Sequence, residues 1–354
     1  MRPASRLKLR PDLRPLRATA GLVALALAVA ACAATGGTPA PSAVPSASSV
    51  VPASAADAVP TFAPSAPSAA PASAQAAVPT PVDSGPPIAV LGTENFYADL
   101  LTQVGGSRVQ VTSFLNDPNA DPHEFESSPQ DAAVVADAKL VIVNGLGYDD
   151  FMQKLLGASP DPARIVIDVE TLLGLPADVN VHVWYDPATM PKVAAAATDA
   201  LSKFEPANAA YFAANEQAYL AALKPITDKI AQLKATYAGA PIAFTENVAG
   251  YMTAQIGLVV KTPVGFMKAV EEGTDPAPAD VAAERDLFTT KAVKVLLYNS
   301  QVTSPTTKSI HDLAQQNGIP IVGVAETIPP QFHTYQEWQL AQLAELEQAL
   351  ATAP

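Results

Sequence analysis

The chain has 354 residues, enough for two domains of ordinary size, and a formal net charge of -13. Its first 32 residues carry six Lys/Arg and one acid, leaving 15 basic and 33 acidic residues, or -18, for the remainder. Such an acidic body lacks the basic footprint that nucleic-acid binding requires, and a single cysteine excludes both an intrachain disulfide framework and a thiolate metal cluster.

Residues 1–17 contain Arg2, Arg6, Lys8, Arg10, Arg14 and Arg17, and an apolar run from Ala18 to Ala31 follows. The run is too short for an ordinary transmembrane helix, and the charged-then-apolar order is that of a secretory signal. It ends in Val29-Ala30-Ala31-Cys32, small residues directly before the only cysteine, as in a bacterial lipobox. Residues 1–32 are therefore expected to be a lipoprotein signal peptide with Cys32 as the lipid attachment site. Acylation there would bury enough methylene groups to hold the protein durably on the extracytoplasmic side of the cell membrane. From Ala33 to Pro86 the chain is almost wholly Ala, Pro, Ser, Val, Thr and Gly without period, the composition of a disordered tether.

Residues 87–204 read as a first α/β lobe. Ile88 to Leu91 is a short apolar run, Glu94 to Val104 reads as a helix, and Val109 to Phe114 alternates like a strand. The loop Asn116 to Ser128 carries Asp121-Pro122-His123-Glu124-Phe125-Glu126, and Pro129 opens the next helix in its first turn. Leu140 to Val143 is continuously apolar, as expected of a parallel strand buried on both faces, and it runs into the turn Asn144 to Tyr148. Ile165 to Asp168 is the fourth strand. A second histidine lies in Val181-His182-Val183-Trp184-Tyr185-Asp186-Pro187. Here Asp186 as N-cap and Pro187 as first helical residue start a helix to about Lys203, so Asp186 has a structural role, and Trp184 is expected in the core.

Residues 205–237 carry an apolar stripe at Tyr219, Leu223, Ile226, Ile230, Leu233 and Tyr237, spaced alternately by fours and threes. One connector helix of about 30 residues would be a rod of roughly 45 Å, although Pro225 should kink or split it. Residues 238–354 repeat the α/β pattern. Strands are expected at Pro241 to Thr245, Leu258 to Val260, Val293 to Tyr298 and Ile319 to Val324, with Glu246 and Glu326 just past two strand ends. Strands alternating with helices imply parallel sheets, whose ligands bind beyond the carboxyl ends of the strands.

His123 and His182 thus lie on loops of the first lobe, and Glu246 and Glu326 on loops of the second. A lone loop histidine or carboxylate is most often a hydrogen-bonded or capping residue, so the argument rests on the four together. Two neutral imidazoles and two carboxylates balance a divalent cation, and their mixed N/O character suits Zn, Mn or Fe(II) over Ca or Mg. His311 reads as a solvated helix residue, and His333 is near enough to Glu326 to be an alternative ligand.

These segments resemble the metal-specific solute-binding lipoproteins of bacterial zinc/manganese ABC importers. The resemblance covers about residues 87–350 and the lipobox. It rests on the two histidine segments, Asn144-Gly145-Leu146-Gly147, residues 205–212 (Glu-Pro-Ala-Asn-Ala-Ala-Tyr-Phe), Glu272-Gly273-Thr274 and Gly318-Ile319-Pro320-Ile321. It implies two four-stranded α/β lobes joined by one long helix, with a metal site at the lobe interface. His123 and His182 match the first two ligand positions, Glu246 the third and Glu326, more loosely, the fourth. The cargo it implies is Zn2+ or Mn2+. Glu246 and the lack of a His-rich acidic loop after His123 lean towards manganese, whereas affinity order at the same ligands favours zinc. Partners would be an ABC permease and its ATPase, with the receptor a membrane-anchored monomer and not an enzyme. Two other readings share the ligands: a secreted metallohydrolase, which needs an open metal position and a nearby base, and a metal-stabilised adhesin.

Overall fold

The computed structural model describes residues 79–353, apart from Ser84 and residues 119–121. The signal peptide, Cys32 and most of the tether expected from the sequence lie outside the described residues, as does Asp121.

The first lobe comprises β1 (Ile88–Gly92), α1 (Asn95–Gly105), β2 (Val109–Thr112), α2 (Pro129–Asp137), β3 (Leu140–Val143), α3 (Phe151–Ala158), β4 (Ile165–Asp168), α4 (Val169–Leu173) and α5 (Thr189–Phe204). The connector helix is α6 (Ala209–Tyr237). The second lobe comprises β5 (Pro241–Phe244), α7 (Gly250–Ile256), β6 (Val259–Val260), α8 (Val264–Glu271), α9 (Pro278–Thr289), β7 (Val295–Asn299), α10 (Pro305–Gln316), β8 (Ile321–Val324) and α11 (Tyr335–Thr352). Both sheets are four-stranded and wholly parallel, in the orders β2-β1-β3-β4 and β6-β5-β7-β8. The two-lobed α/β architecture expected from the sequence is the one observed.

The central strands are apolar because helices cover both their faces. All four residues of β3 are buried. One core runs from the first sheet through α1, α5 and α6 into the second lobe, and smaller clusters fill the outer faces of the two sheets. Gly92 ends β1 where a Cβ would run into the backbone nitrogen of Ala98, so the turn that brings α1 back over the sheet needs glycine.

Pro225 lies inside α6 without ending it. The proline ring is on the exposed side, while Phe212, Tyr219, Leu223, Ile226, Ile230 and Leu233 are buried. That continuous apolar face offsets a helix-interior proline cost of about 3 kcal/mol. The helix expected from Pro187 begins at Thr189 instead; the Asp186 carboxylate accepts from Ala188 N at 3.0 Å, and Ala188, already with helical backbone angles, precedes the first helical residue. Val82, inside the stretch expected to be tether, is already tied to the body. It donates to Asn208 Oδ1 at 2.7 Å and accepts from Asn208 Nδ2 at 3.0 Å.

The lobes are fastened directly as well as through α6. Asn95 exchanges two hydrogen bonds with the backbone of Ile328, at 3.0 and 2.8 Å, and Asp99 accepts from Tyr335 N at 2.9 Å.

Behind β5, Glu284 is completely buried. The Thr262 hydroxyl lies 3.3 Å from Glu284 Oε1 and 3.3 Å from the Phe244 carbonyl, and Glu284 Oε2 has no partner. Burial lifts this carboxyl to about 8, only partly offset by Thr262. Its folded pKa exceeds the unfolded one, so its favourable contribution is complete at low pH and is lost as pH rises from about 4.5 to about 8. Glu284→Gln is therefore expected to gain melting temperature relative to wild type progressively between pH 5 and pH 9. A difference independent of pH in thermal denaturation contradicts it.

Candidate metal centre

The four side chains singled out from the sequence come together between the lobes. His123 sits on the single 3-10 turn Pro122–Glu124, and His182 immediately precedes the 3-10 turn Val183–Tyr185. Glu246 follows β5 and Glu326 follows β8, both at the carboxyl ends of strands. One ligand atom from each lies within 4.8 Å of the other three, close enough for one ion to reach all four. His123 Nε2 is 3.6 Å from Glu246 Oε1 and 3.4 Å from Glu326 Oε2; His182 Nε2 is 3.5 and 3.3 Å from the same atoms. The His182, Glu246 and Glu326 side chains are fully buried, whereas that of His123 is 22% exposed.

The surroundings orient these groups. His182 Nδ1 is 2.7 Å from Asn180 Oδ1, an acceptor that places the ring proton on Nδ1 and turns the Nε2 lone pair to the centre. Asn180 in turn donates to the Asn247 carbonyl at 2.7 Å, in the other lobe. Tyr148 donates to Glu326 Oε2 at 3.0 Å, and Asn299 donates to both carboxylates. Gln301 Oε1 accepts from Glu326 N at 2.6 Å and fixes the loop after β8. The rings of Tyr148 and Trp184 wall the first-lobe side, 5.1 Å from His123 and 5.2 Å from His182 respectively. Trp184 itself is buried and stacked on Phe96 at 4.5 Å, the core role expected of it.

Glu246 Oε1 is buried, faces both imidazoles and has no hydrogen-bond partner. A buried carboxylate oxygen without a donor is costly, and a cation between it and the two Nε2 atoms removes that cost. His333 is exposed, with its backbone N–H bonded to Glu337, and is not among the four. His311 lies on α10 against the ring of Tyr298 and beside Asp312. Asn180, Tyr148, Asn299 and Gln301 support these groups, and nothing in their residue types marks them for it in the sequence. Their only signal is position, since each stands near a ligand or at a strand end.

Without metal, charge balance falls to protons. Burial works against a charge on His123, but the contacts with Glu246 and Glu326 outweigh it and raise its pKa to about 11; the same contest raises His182 to about 9. At 3.5–3.6 Å the contacts with Glu246 exceed ordinary hydrogen-bond length, so we read them as charge attraction. Burial pushes the Glu326 carboxyl up, yet the two histidines hold it far below the usual carboxylate range.

The family described as zinc-uptake complex component A, periplasmic, matches residues 90–349. The chain belongs to this family. It is similar to the manganese-binding lipoprotein MntA of Halalkalibacterium halodurans, 28% identical over 147 residues that cover 40% of this chain and 48% of that protein. The chain thus spans about half the length of that relative. Its fold is that of the periplasmic zinc-binding protein TroA from Treponema pallidum, with a TM-score of 0.64 at 19% identity, covering 75% of this chain and 99% of the other. It is likewise that of FpvC from Pseudomonas aeruginosa, solved in complex with Mn2+, with a TM-score of 0.63 at 21% identity and 75% and 98% coverage. For this member of the zinc-uptake family, the raised histidine pKa values have a measurable consequence. The imidazoles must lose their extra protons to accept a metal, so binding is expected to release up to two protons near pH 7 and to tighten as pH rises from about 6 to 8. Calorimetric enthalpies in buffers of different ionisation enthalpy measure this; a buffer-independent enthalpy contradicts it.

Proposed function

We propose that the protein is an extracytoplasmic receptor that captures Zn2+ or Mn2+ between its lobes and delivers it to an ABC permease driven by its ATPase. The observation that carries this is the convergence of His123, His182, Glu246 and Glu326, two nitrogens and two oxygens from four loops, on one buried point. Such a set neutralises a divalent transition cation and suits Zn or Mn over Ca or Mg. The relatives' descriptions support the same cargo: one is a manganese-binding lipoprotein and one a periplasmic zinc-binding protein.

In this proposal the signal at residues 1–32 exports the chain, Cys32 anchors it as a lipoprotein monomer, and residues 33–86 give it reach. The role is binding and hand-over, not catalysis. The metallohydrolase alternative needs a coordination position reserved for water, and four protein donors around one point favour capture instead. Membership of an uptake family also favours transport over a purely structural metal.

Protein purified without added metal is expected to hold close to one equivalent of zinc or manganese by elemental analysis. Adding metal to the stripped protein should raise its melting temperature, because the ion binds only the folded form. His123→Ala removes a ligand on a short, partly exposed turn. It is expected to leave the fold intact and to weaken metal binding by more than the roughly 10–100-fold typical of losing a supporting residue. Calorimetry that finds wild-type affinity in this variant refutes the assignment.

A further inference from the structure

We infer that Asn299 is a positioning residue that limits the captured cation to four protein ligand atoms and thereby favours zinc over manganese. This rests on the proposal that His123, His182, Glu246 and Glu326 bind the ion.

Asn299 ends β7, is fully buried, and stands between the two carboxylates. Its side-chain nitrogen donates to Glu246 Oε2 at 2.7 Å and to Glu326 Oε1 at 2.7 Å, so both amide hydrogens are engaged. The two oxygens that Asn299 does not hold are Glu246 Oε1 and Glu326 Oε2, which face both imidazole Nε2 atoms; Glu326 Oε2 also accepts from Tyr148 at 3.0 Å. Either carboxylate could bind in a bidentate way only with the oxygen that Asn299 holds. A held oxygen keeps a lone pair, so the amide acts by orientation: anchored at 2.7 Å, each carboxylate presents one oxygen to the imidazoles and keeps the other toward Asn299, a set of two nitrogens and two oxygens.

The amide is locked in this sense. Asn299 Oδ1 accepts from Gln301 N at 3.0 Å, and Asn299 N donates to Thr245 Oγ1 at 3.0 Å. A flipped amide would set its oxygen against two carboxylates and its NH2 against the Gln301 N–H, losing three hydrogen bonds at once. Gln301 also grips the Glu326 backbone N–H, so the bridge and the loop it orders move as one unit. Zinc sites are commonly four-coordinate, whereas manganese in oxygen-rich sites takes six ligands. A clamp that keeps one oxygen of each carboxylate turned toward Asn299 thus disfavours the second metal.

The test uses Co(II) as a spectroscopic probe, together with competition between Zn(II) and Mn(II), in the wild type and in Asn299→Ala. Wild-type protein should give the intense visible absorption of four-coordinate Co(II). In Asn299→Ala the released oxygens should convert this to the weak bands of a five- or six-coordinate ion, and the zinc-over-manganese affinity ratio should fall by about tenfold or more. A role confined to folding would lower both affinities alike and leave the cobalt spectrum unchanged, which overturns the inference. Weak six-coordinate cobalt bands in the wild type overturn it too, without recourse to any variant. Failure of the wild type to bind any of the three metals would instead refute the receptor proposal itself.

Discussion

The arrangement depends on one electrostatic constraint: two carboxylates buried side by side between two lobes must be neutralised. Glu246 and Glu326 have no exposed surface, and two uncompensated negative charges out of water would cost more than the lobes' packing could offset. Two imidazoles meet the constraint in two ways. Protonated, they supply two positive charges; neutral, they present lone pairs to a divalent cation that supplies the same charge. The raised pKa values of His123 and His182 describe the first state. The orphaned Glu246 Oε1, facing both rings, marks where the second would gain. On the proposed reading, proton and metal would be alternative occupants of one charge balance, so the centre could be filled and emptied without leaving bare buried charge.

The fold serves this constraint by geometry. Both sheets are parallel, so all strand ends that bear loops of one kind lie on one edge of each lobe. The lobes present those edges to one another and share donors across the gap. Tyr148 in the first lobe reaches Glu326 in the second, Asn180 reaches the Asn247 carbonyl, and Tyr185 reaches the Ala325 carbonyl at 2.7 Å. Every one of these contacts lies within a few residues of a proposed ligand, so lobe separation and ligand geometry are coupled. His123 is the one partly exposed member of the four, so its turn is the side on which an ion held as proposed would meet solvent.

Much of this was legible from residue types. Strands buried on both faces show as continuous apolar runs, and Leu140–Val143 is the plainest case. The expectation that both histidine segments join a strand to a helix holds for His123, between β2 and α2. For His182, however, α4 intervenes after β4, so the second imidazole stands between two helices. That one-turn helix is capped by Asp168 and has no apolar period long enough to show in the sequence. Boundaries were less legible, because they depend on hydrogen bonds that composition does not specify. Val109 to Phe114 alternates throughout, yet the strand ends at Thr112; beyond it, Phe114 N and Leu115 N turn to the Thr93 carbonyl. Pro225 looks like a helix breaker, but its cost is local and the buried stripe on the opposite side is long. Asn299, Asn180 and Gln301 were illegible for another reason. A polar residue at a strand end or in a loop has many structural uses, and only the three-dimensional arrangement shows that these reach the carboxylates, the imidazole and the Glu326 backbone.

A crystal structure of the protein loaded with a single equivalent of zinc, located by anomalous scattering at the zinc edge, tests the central claim most directly. The ion is expected about 2.0–2.2 Å from His123 Nε2, His182 Nε2, Glu246 Oε1 and Glu326 Oε2. A metal bound elsewhere on the molecule, or one held by a single lobe with the other lobe's carboxylates or imidazoles beyond coordinating distance, would contradict it.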